Sequence, residues 1–259
     1  MPVVAASSFA ATPVSKPTPP SAAQTRWAYP GFLRRLLQWP LLALAALFVV
    51  ANLWRADLWL ADRLYAWEGH AWMLRHAGWT RYVHLLGRDA STAAWLVVLA
   101  AWLIASLRAG WAQLRRPLLY LLTATAVPTL LVAALKHGSN IDCPWDLARY
   151  GGTRPYLGLF ELRPTDLGRG LCFPAGHASA GYAWLALYFF LGVVQPCWRR
   201  AGLAVGLGLG LLFGISQQLR GAHFLSHDLA TLALCWTCAV LVYRLFYRAA
   251  PARTGNAAP

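Results

Sequence analysis

Residues 117–135 read PLLYLLTATAVPTLLVAAL, an uncharged apolar run that ends at the pair Lys136-His137. A transmembrane helix needs about 20 mostly apolar residues, so this run is long enough to cross a membrane. Comparable runs occur elsewhere in the chain. The six predicted membrane spans are residues 37–53, 90–107, 117–135, 178–194, 201–218 and 229–247.

The composition agrees with a membrane protein. Of the 259 residues, 58% are hydrophobic and 12% are charged, whereas a soluble domain carries about 25% charged residues. This excludes a disordered chain and argues against an ordinary soluble domain. The predicted fold class is all-α: a polytopic membrane helical bundle of about six spans, plus an amphipathic segment on the outer side.

The chain divides into a membrane domain and two tails. Residues 1–36 are rich in Ala, Ser, Thr and Pro, so we predict a disordered cytoplasmic tail there. Residues 251–259 are predicted as a second cytoplasmic tail. Residues 37–250 are predicted to form one membrane domain, with its motif-bearing core at residues 117–247.

Charge predicts the orientation of this domain. The net charge is +14, and Lys and Arg near membrane spans favour the cytoplasmic side. When both termini are placed in the cytoplasm, all nine Asp and Glu residues fall on the opposite side. We therefore expect a multi-pass protein of a bacterial inner membrane that contacts membrane lipids and has its site facing the periplasm. We expect no nucleic-acid partner and no specific protein partner.

Two long segments lie on the predicted outer side. Residues 55–89 mix Trp, Leu and Tyr with charged residues, which favours an amphipathic helical stretch along the interface. Its histidines, His70, His76 and His84, have irregular spacing for a metal site. The second segment, residues 137–177, is too long for a plain connector, and long loops are often functional.

Polar residues gather at the outer ends of the last four spans. Lys136 ends the third span, His177 begins the fourth, His223 lies between the fifth and sixth, and Asp228 opens the sixth. Ionisable groups at such depth are costly, which makes them functional candidates. A bundle that packs these spans together would bring the four side chains within reach of each other.

This set of side chains suits phosphoryl transfer. Lys and Arg can hold phosphoryl oxygens, one histidine can attack phosphorus, and the other can protonate the departing oxygen. A carboxylate can fix the tautomer of a histidine. The sequence shows no nucleotide-binding glycine loop and no cluster of carboxylates for magnesium. We therefore predict a phosphatase that works without a metal or other cofactor, through a phosphohistidine.

The order of these residues resembles the integral-membrane branch of the type 2 phosphatidic acid phosphatase superfamily. That family carries the blocks K-x6-R-P, P-S-G-H and S-R-x5-H-x3-D on a six-helix membrane core. Lys136, Gly176, His177 and His223 keep the family positions. Four positions depart from the blocks: Cys143 and Gln217 replace arginines, Ala175 replaces serine, and His227 stands one residue before Asp228.

The resemblance implies a role for each matching residue. His223 would be the nucleophile, His177 the acid for the leaving oxygen, and Asp228 the carboxylate that orients His223. Lys136 and the backbone N–H of Gly176 would bind phosphate.

The departures leave two roles open. The candidates to replace the missing arginines are Arg220, then Arg149, then Arg154. His227 would line the pocket or take the place of the carboxylate.

Two of the five cysteines, Cys143 and Cys172, fall on the predicted outer side. Because an envelope compartment is oxidising, we expect them to form a disulfide that ties the first block to the second. This would give Cys143 a structural task at a position where the family has Arg.

The predicted function is a membrane phosphatase that hydrolyses a lipid phosphate or diphosphate at the outer membrane face. One alternative is a lipid phosphotransferase of the same fold, in which a second lipid accepts the phosphoryl group. Another is an inactive relative that binds phospholipid, because two family arginines are missing. A transporter or channel is disfavoured, since the polar residues cluster at one face instead of crossing the bilayer centre.

Overall fold

The computed structural model describes residues 31–158 and 161–247. Nearly all regular structure in these residues is helical, and their one β feature is an isolated bridge between Leu147 and Arg154. Most of the predicted first tail, residues 1–30, and the whole second tail, residues 251–259, lie outside the described residues. A helical turn at Arg34–Gln38 overlaps the end of the predicted first tail, so regular structure begins before residue 37.

The described residues form eight α-helices, which we number α1 to α8. Short 3-10 turns join several of them and also shape the loop between α4 and α5. The helices are α1 (Trp39–Leu53), α2 (Ala56–Trp67), α3 (Gly78–Leu107), α4 (Ala112–Ser139), α5 (Gly176–Tyr182), α6 (Leu187–Val194), α7 (Arg199–Leu219) and α8 (Leu225–Tyr247).

Six helical segments are long and apolar enough to cross a membrane, which confirms the predicted number of spans. The fourth is a composite, because α5 continues through the 3-10 turn Ala183–Ala186 into α6. The chain is therefore an all-α, multi-pass helical bundle. The segments are Arg34–Leu53, Gly78–Leu107, Ala109–Asp146, Gly176–Val194, Pro196–Leu219 and Leu225–Tyr247.

The predicted amphipathic segment is shorter than expected. Helix α3 begins at Gly78 and not near residue 90, so residues 78–89 extend the second span. The first turns of the helix were not predicted because polar side chains, such as the exposed pair Arg88 and Asp89, lower the hydropathy there. What remains of the segment is α2 and the turn Met73–Arg75.

A row of glycines on α7 sets the contact with the fourth span. Four glycines spaced one turn apart are buried on one face of α7, and small residues let membrane helices approach closely. A Cβ atom on Gly206 would lie 2.5 Å from the backbone nitrogen of Leu185, and one on Gly210 would overlap the ring of Tyr182. The glycines are Gly202, Gly206, Gly210 and Gly214.

Aromatic side chains pack together at the end of the bundle opposite Lys136. The hydroxyl of Tyr120, near the start of α4, donates to the carbonyl of Ala239 on α8 at 3.1 Å. The rings of Phe189 on α6 and Tyr243 on α8 stack with centroids 4.9 Å apart. This packing joins α4, α6 and α8 at the end of the bundle opposite Lys136.

Candidate active site

Three predicted site residues meet at one end of the bundle, which we call the histidine end (Lys136, His177 and His223). Lys136 lies in the last turn of α4, His177 is the second residue of α5, and His223 lies in the link between α7 and α8. The charges of Lys136 and His177 both act on the ring of His223. The structure therefore brings together an ammonium group and two imidazoles from three different parts of the chain.

Gly176 explains how Lys136 comes so near the start of α5. A Cβ atom on Gly176 would lie 3.4 Å from Nζ of Lys136, so the ammonium group rests over a residue without a side chain. This places a cation beside the first backbone N–H groups of a helix, which also favour anions. Among the described residues, no group of three His, Cys, Asp or Glu side chains is placed to hold a metal ion.

The ring of His223 is buried, and its surroundings favour the neutral form. Burial lowers the pKa of His223 well below its usual value, and the charges of His227 and Lys136 lower it further. A hydrogen bond to the backbone carbonyl of Cys172 opposes these effects. A neutral imidazole keeps a lone pair, which is the form that attacks phosphorus.

His227, and not Asp228, faces His223 in the structure. The Nδ1 atoms of His223 and His227 are 3.4 Å apart. The carboxylate of Asp228 instead accepts a hydrogen bond from the amide of Gln218 and lies against Gly214, where a Cβ atom would be 2.6 Å from Oδ2. The reason is the one-residue shift, because each step along a helix turns the side chain by about 100°. Within the described residues, Asp228 therefore makes no contact with His223 that would support its predicted orienting role.

Arg149 and Arg154 are engaged away from the histidines. Arg149 donates to both carboxylate oxygens of Asp62, at 2.7 and 2.6 Å. Arg154 pairs with Asp142, a carboxylate that is buried between Arg154 and Arg163. These ion pairs tie the loop after α4 to itself and to α2, so both guanidinium groups are paired with carboxylates.

Unlike Arg149 and Arg154, Arg220 forms no ion pair with a carboxylate of the described residues. Its Nε and Nη1 atoms are buried and have no hydrogen-bond partner there. Burial lowers the pKa of Arg220, and the charge of Arg75 lowers it further. Arg75 stacks over the ring of Trp145 at 4.1 Å, and the N–H of Trp145 donates to the carbonyl of Gly221 at 2.9 Å. Two guanidinium groups therefore lie near each other beside the link that carries His223.

Cys143 and Cys172 form a disulfide, at the two positions where the sequence suggests one, with their Cα atoms 5.2 Å apart. The bridge joins the segment after α4 to the segment before α5. Cys172 is buried, and its Sγ atom lies 3.0 Å from the carbonyl oxygen of Ala222. The residue that stands in place of a family arginine is thus part of the scaffold around His223.

Asp57 is a buried residue of this region that sequence reasoning missed. It lies on α2, and its carboxylate accepts hydrogen bonds from the backbone N–H and the hydroxyl of Ser226 in the first turn of α8. Burial raises the pKa of Asp57, while the hydrogen bonds from Ser226 lower it. No local sequence pattern reveals the role of this buried carboxylate, because its partner Ser226 comes 169 residues later.

The comparison with known proteins gives one family. A sequence model of the PAP2 superfamily matches residues 117–251. No curated protein and no solved structure matches the chain significantly. The matched region includes all three residues of the histidine end.

Proposed function

The chain belongs to the PAP2 superfamily, whose members are generally phosphatases, and we propose that it hydrolyses a lipid phosphate or diphosphate through a phosphohistidine on His223. The observation that carries this proposal is the meeting of His223 with His177 and Lys136 at the histidine end. A buried neutral imidazole, a second imidazole and an ammonium group are the parts that a phosphohistidine mechanism needs.

The first half-reaction transfers the phosphoryl group to the protein. Lys136 and the backbone N–H of Gly176 hold the phosphoryl oxygens, and Nε2 of His223 attacks phosphorus. The nitrogen–phosphorus bond forms while the bond from phosphorus to the leaving oxygen breaks. His177 donates its proton to that oxygen, so the lipid product leaves protonated.

The second half-reaction returns the protein to its starting state. His177, now neutral, takes a proton from water as the water oxygen attacks phosphorus. The nitrogen–phosphorus bond breaks, inorganic phosphate leaves, and His223 regains its lone pair. Each turnover consumes one water molecule, and the same imidazole acts first as acid and then as base.

The location of the site favours a lipid substrate. His177 lies at the start of one apolar span and Lys136 at the end of another, so a lipid tail can stay in the bilayer while the headgroup reaches both. Arg220 adds a cation for the phosphate oxygens, in place of the arginines missing at Cys143 and Gln217. We also propose an inner-membrane location with the histidine end in the periplasm, supported by the charge distribution and by the disulfide.

Phosphate release tests the proposal. Wild-type protein and the His223→Ala and His177→Ala variants are purified in detergent and given lipid monophosphates and diphosphates. We expect release from the wild type, and a loss of at least about 100-fold in both variants, the range of a nucleophile or general acid. The matched control is His137→Ala, because His137 is an exposed neighbour of Lys136 with no role in the mechanism and its removal should keep wild-type rates.

Trapping the intermediate separates the outcomes. Rapid acid-free quenching with a phosphate-labelled lipid should give labelled wild-type protein and unlabelled His223→Ala protein. Equal phosphate release by wild type and His223→Ala would contradict the enzyme proposal. Label on His223 that passes to an added lipid alcohol faster than to water would identify a phosphotransferase.

A further inference from the structure

The backbone of Cys172 lies beside the buried imidazoles of His223 and His227, whose Nδ1 atoms are 3.4 Å apart. These residues are four positions apart in the sequence, with relative exposures of 7% and 2%. The backbone of Cys172 takes part in a hydrogen bond with each ring. One peptide carbonyl therefore serves as acceptor for both histidines.

The contacts of the His223 ring indicate which of its nitrogens can react. An imidazole that donates a hydrogen bond through one nitrogen keeps the lone pair on the other. The Nδ1 atom of His223 already faces Nδ1 of His227 at 3.4 Å, so the protein occupies that side of the ring. Nε2 is then the atom left for phosphorus. A misplaced ring loses much of the rate, since an error of 1 Å can cost about 100-fold.

The disulfide determines where the carbonyl stands. The Cys143–Cys172 bridge holds Cys172 from one side, and the N–H of Cys172 donates to the carbonyl of Ile141 at 2.9 Å. Sγ of Cys172 also lies 3.0 Å from the carbonyl of Ala222, the residue directly before His223. The bridge therefore contacts both the acceptor and the chain that carries the nucleophile.

We propose that the Cys143–Cys172 disulfide is a positioning element for His223, because it holds the chain at Ala222 and the backbone of Cys172 beside the ring while Asp228 turns to Gln218. This inference rests on the proposed function of His223 as nucleophile. It makes activity depend on the redox state of the bridge. A dithiol reductant gives two electrons and two protons to the bridge, leaves two cysteine thiols and is itself oxidised to a cyclic disulfide.

Kinetics with and without a dithiol test the proposal. The Cys143→Ser and Cys172→Ser variants retain the backbone carbonyl but lose the bridge, and Cys197→Ser removes an exposed free cysteine as the matched control. We expect kcat to fall about 10- to 100-fold in the two bridge variants, with KM changed less than about threefold. Dithiothreitol should lower the wild type and Cys197→Ser to the same level and leave the bridge variants unchanged.

The test remains decisive if a variant fails to fold. Wild-type protein is then reduced in lipid nanodiscs, checked for retained helical circular dichroism, assayed, and reoxidised. Recovery of kcat on reoxidation supports the proposal. A folded, fully reduced wild type that keeps its oxidised kcat overturns it.

A spectroscopic measurement separates this proposal from the proposed function. Nitrogen NMR of 15N-histidine-labelled protein reports the tautomer of each ring, and the chain contains seven histidines to assign. We expect the His223 and His227 signals to move on reduction, while the exposed His137 signal stays. Absence of phosphatase activity would remove the proposed function and leave this measurement intact. Unchanged His223 and His227 signals would overturn the positioning role even in an active enzyme.

Discussion

Asp57 and Ser226 join α2 to α8, the helix that follows His223. The backbone N–H of Ser226 donates to Oδ1 of Asp57 at 2.9 Å, and the Ser226 hydroxyl donates to the other carboxylate oxygen. Asp57 thus caps α8 from a distant part of the chain, in the way a local residue usually caps a helix. The cap holds the start of α8, and with it His223 and His227, against α2.

Removing this cap should destabilise the protein. We expect Asp57→Ala to lower the free energy of unfolding by about 1–2 kcal/mol, because the first turn of α8 loses the acceptor of its N–H and hydroxyl groups. Asp57→Asn should lose less, since an amide oxygen can still accept and burial already raises the pKa of the carboxyl group. Thermal unfolding in detergent measures both. Equal losses in the two variants would contradict the capping role.

The pH dependence of the rate should reflect the lowered pKa of His223. Burial is the main cause, and the charges of His227 and Lys136 add to it. The nucleophile must be neutral, so kcat/KM falls as the pH drops through the pKa of the folded protein. We therefore expect the acid limb below pH of about 6.5, the ordinary value for histidine.

A charge variant identifies the group that titrates. Lys136→Gln removes a positive charge that acts on His223, so its acid limb should lie at higher pH than that of the wild type. Titration of the substrate phosphate is common to both proteins and cancels in this comparison. An unshifted limb in Lys136→Gln would show that the limb belongs to another group.

Arg220 should bind the substrate, while Arg149 should not. Arg220→Ala removes a guanidinium whose Nε and Nη1 atoms are buried and lack a partner in the described residues, and we expect KM to rise about 10-fold. Arg149→Ala breaks a pair whose two side chains are 53% and 38% exposed, which contributes about 0–1 kcal/mol and should leave KM unchanged. Steady-state kinetics of the two variants decide this. A larger effect for Arg149 would reverse the assignment.

The glycine row on α7 gives a packing prediction with an internal control. A Cβ atom on Gly206 would lie 2.5 Å from the backbone of Leu185, whereas nothing lies within 4 Å of one on Gly208. We expect Gly206→Ala to destabilise the protein by about 1–3 kcal/mol, as overpacking does. Gly208→Ala should be neutral or slightly stabilising, because Ala favours a helix over Gly by about 1 kcal/mol. Thermal unfolding compares them, and equal midpoints would exclude close packing as the reason for the row.

The spans could be predicted because hydropathy measures the property that places them. The uncharged run before Lys136 is visible without any partner, and it lies within α4. The start of α3 was missed because Arg88 and Asp89 interrupt the apolar pattern while the backbone continues as a helix. Composition indicates where lipid surrounds a helix, and it does not indicate where the hydrogen bonds of that helix begin.

The histidine end could be predicted in part. His177 and His223 stand in recognisable blocks, so sequence alone suggested that they meet. The hydrogen-bond partner of His223 could not be found in this way. Every residue has a backbone carbonyl, so the residue type at Cys172 does not reveal this role. The partner of Asp228 could not be predicted either, because a shift of one residue turns its side chain toward a different face of α8.

The Cys143–Cys172 bridge lies wholly ahead of His223 in the order of synthesis. A ribosome completes α4, the bridged loop and α5 before it makes α7 and α8, and segments made first can fold first. Under the roles proposed above, the nascent chain can close its bridge while the nucleophile does not yet exist. Under the same roles, the site is complete only after α8 has been made and has packed against α4 and α5.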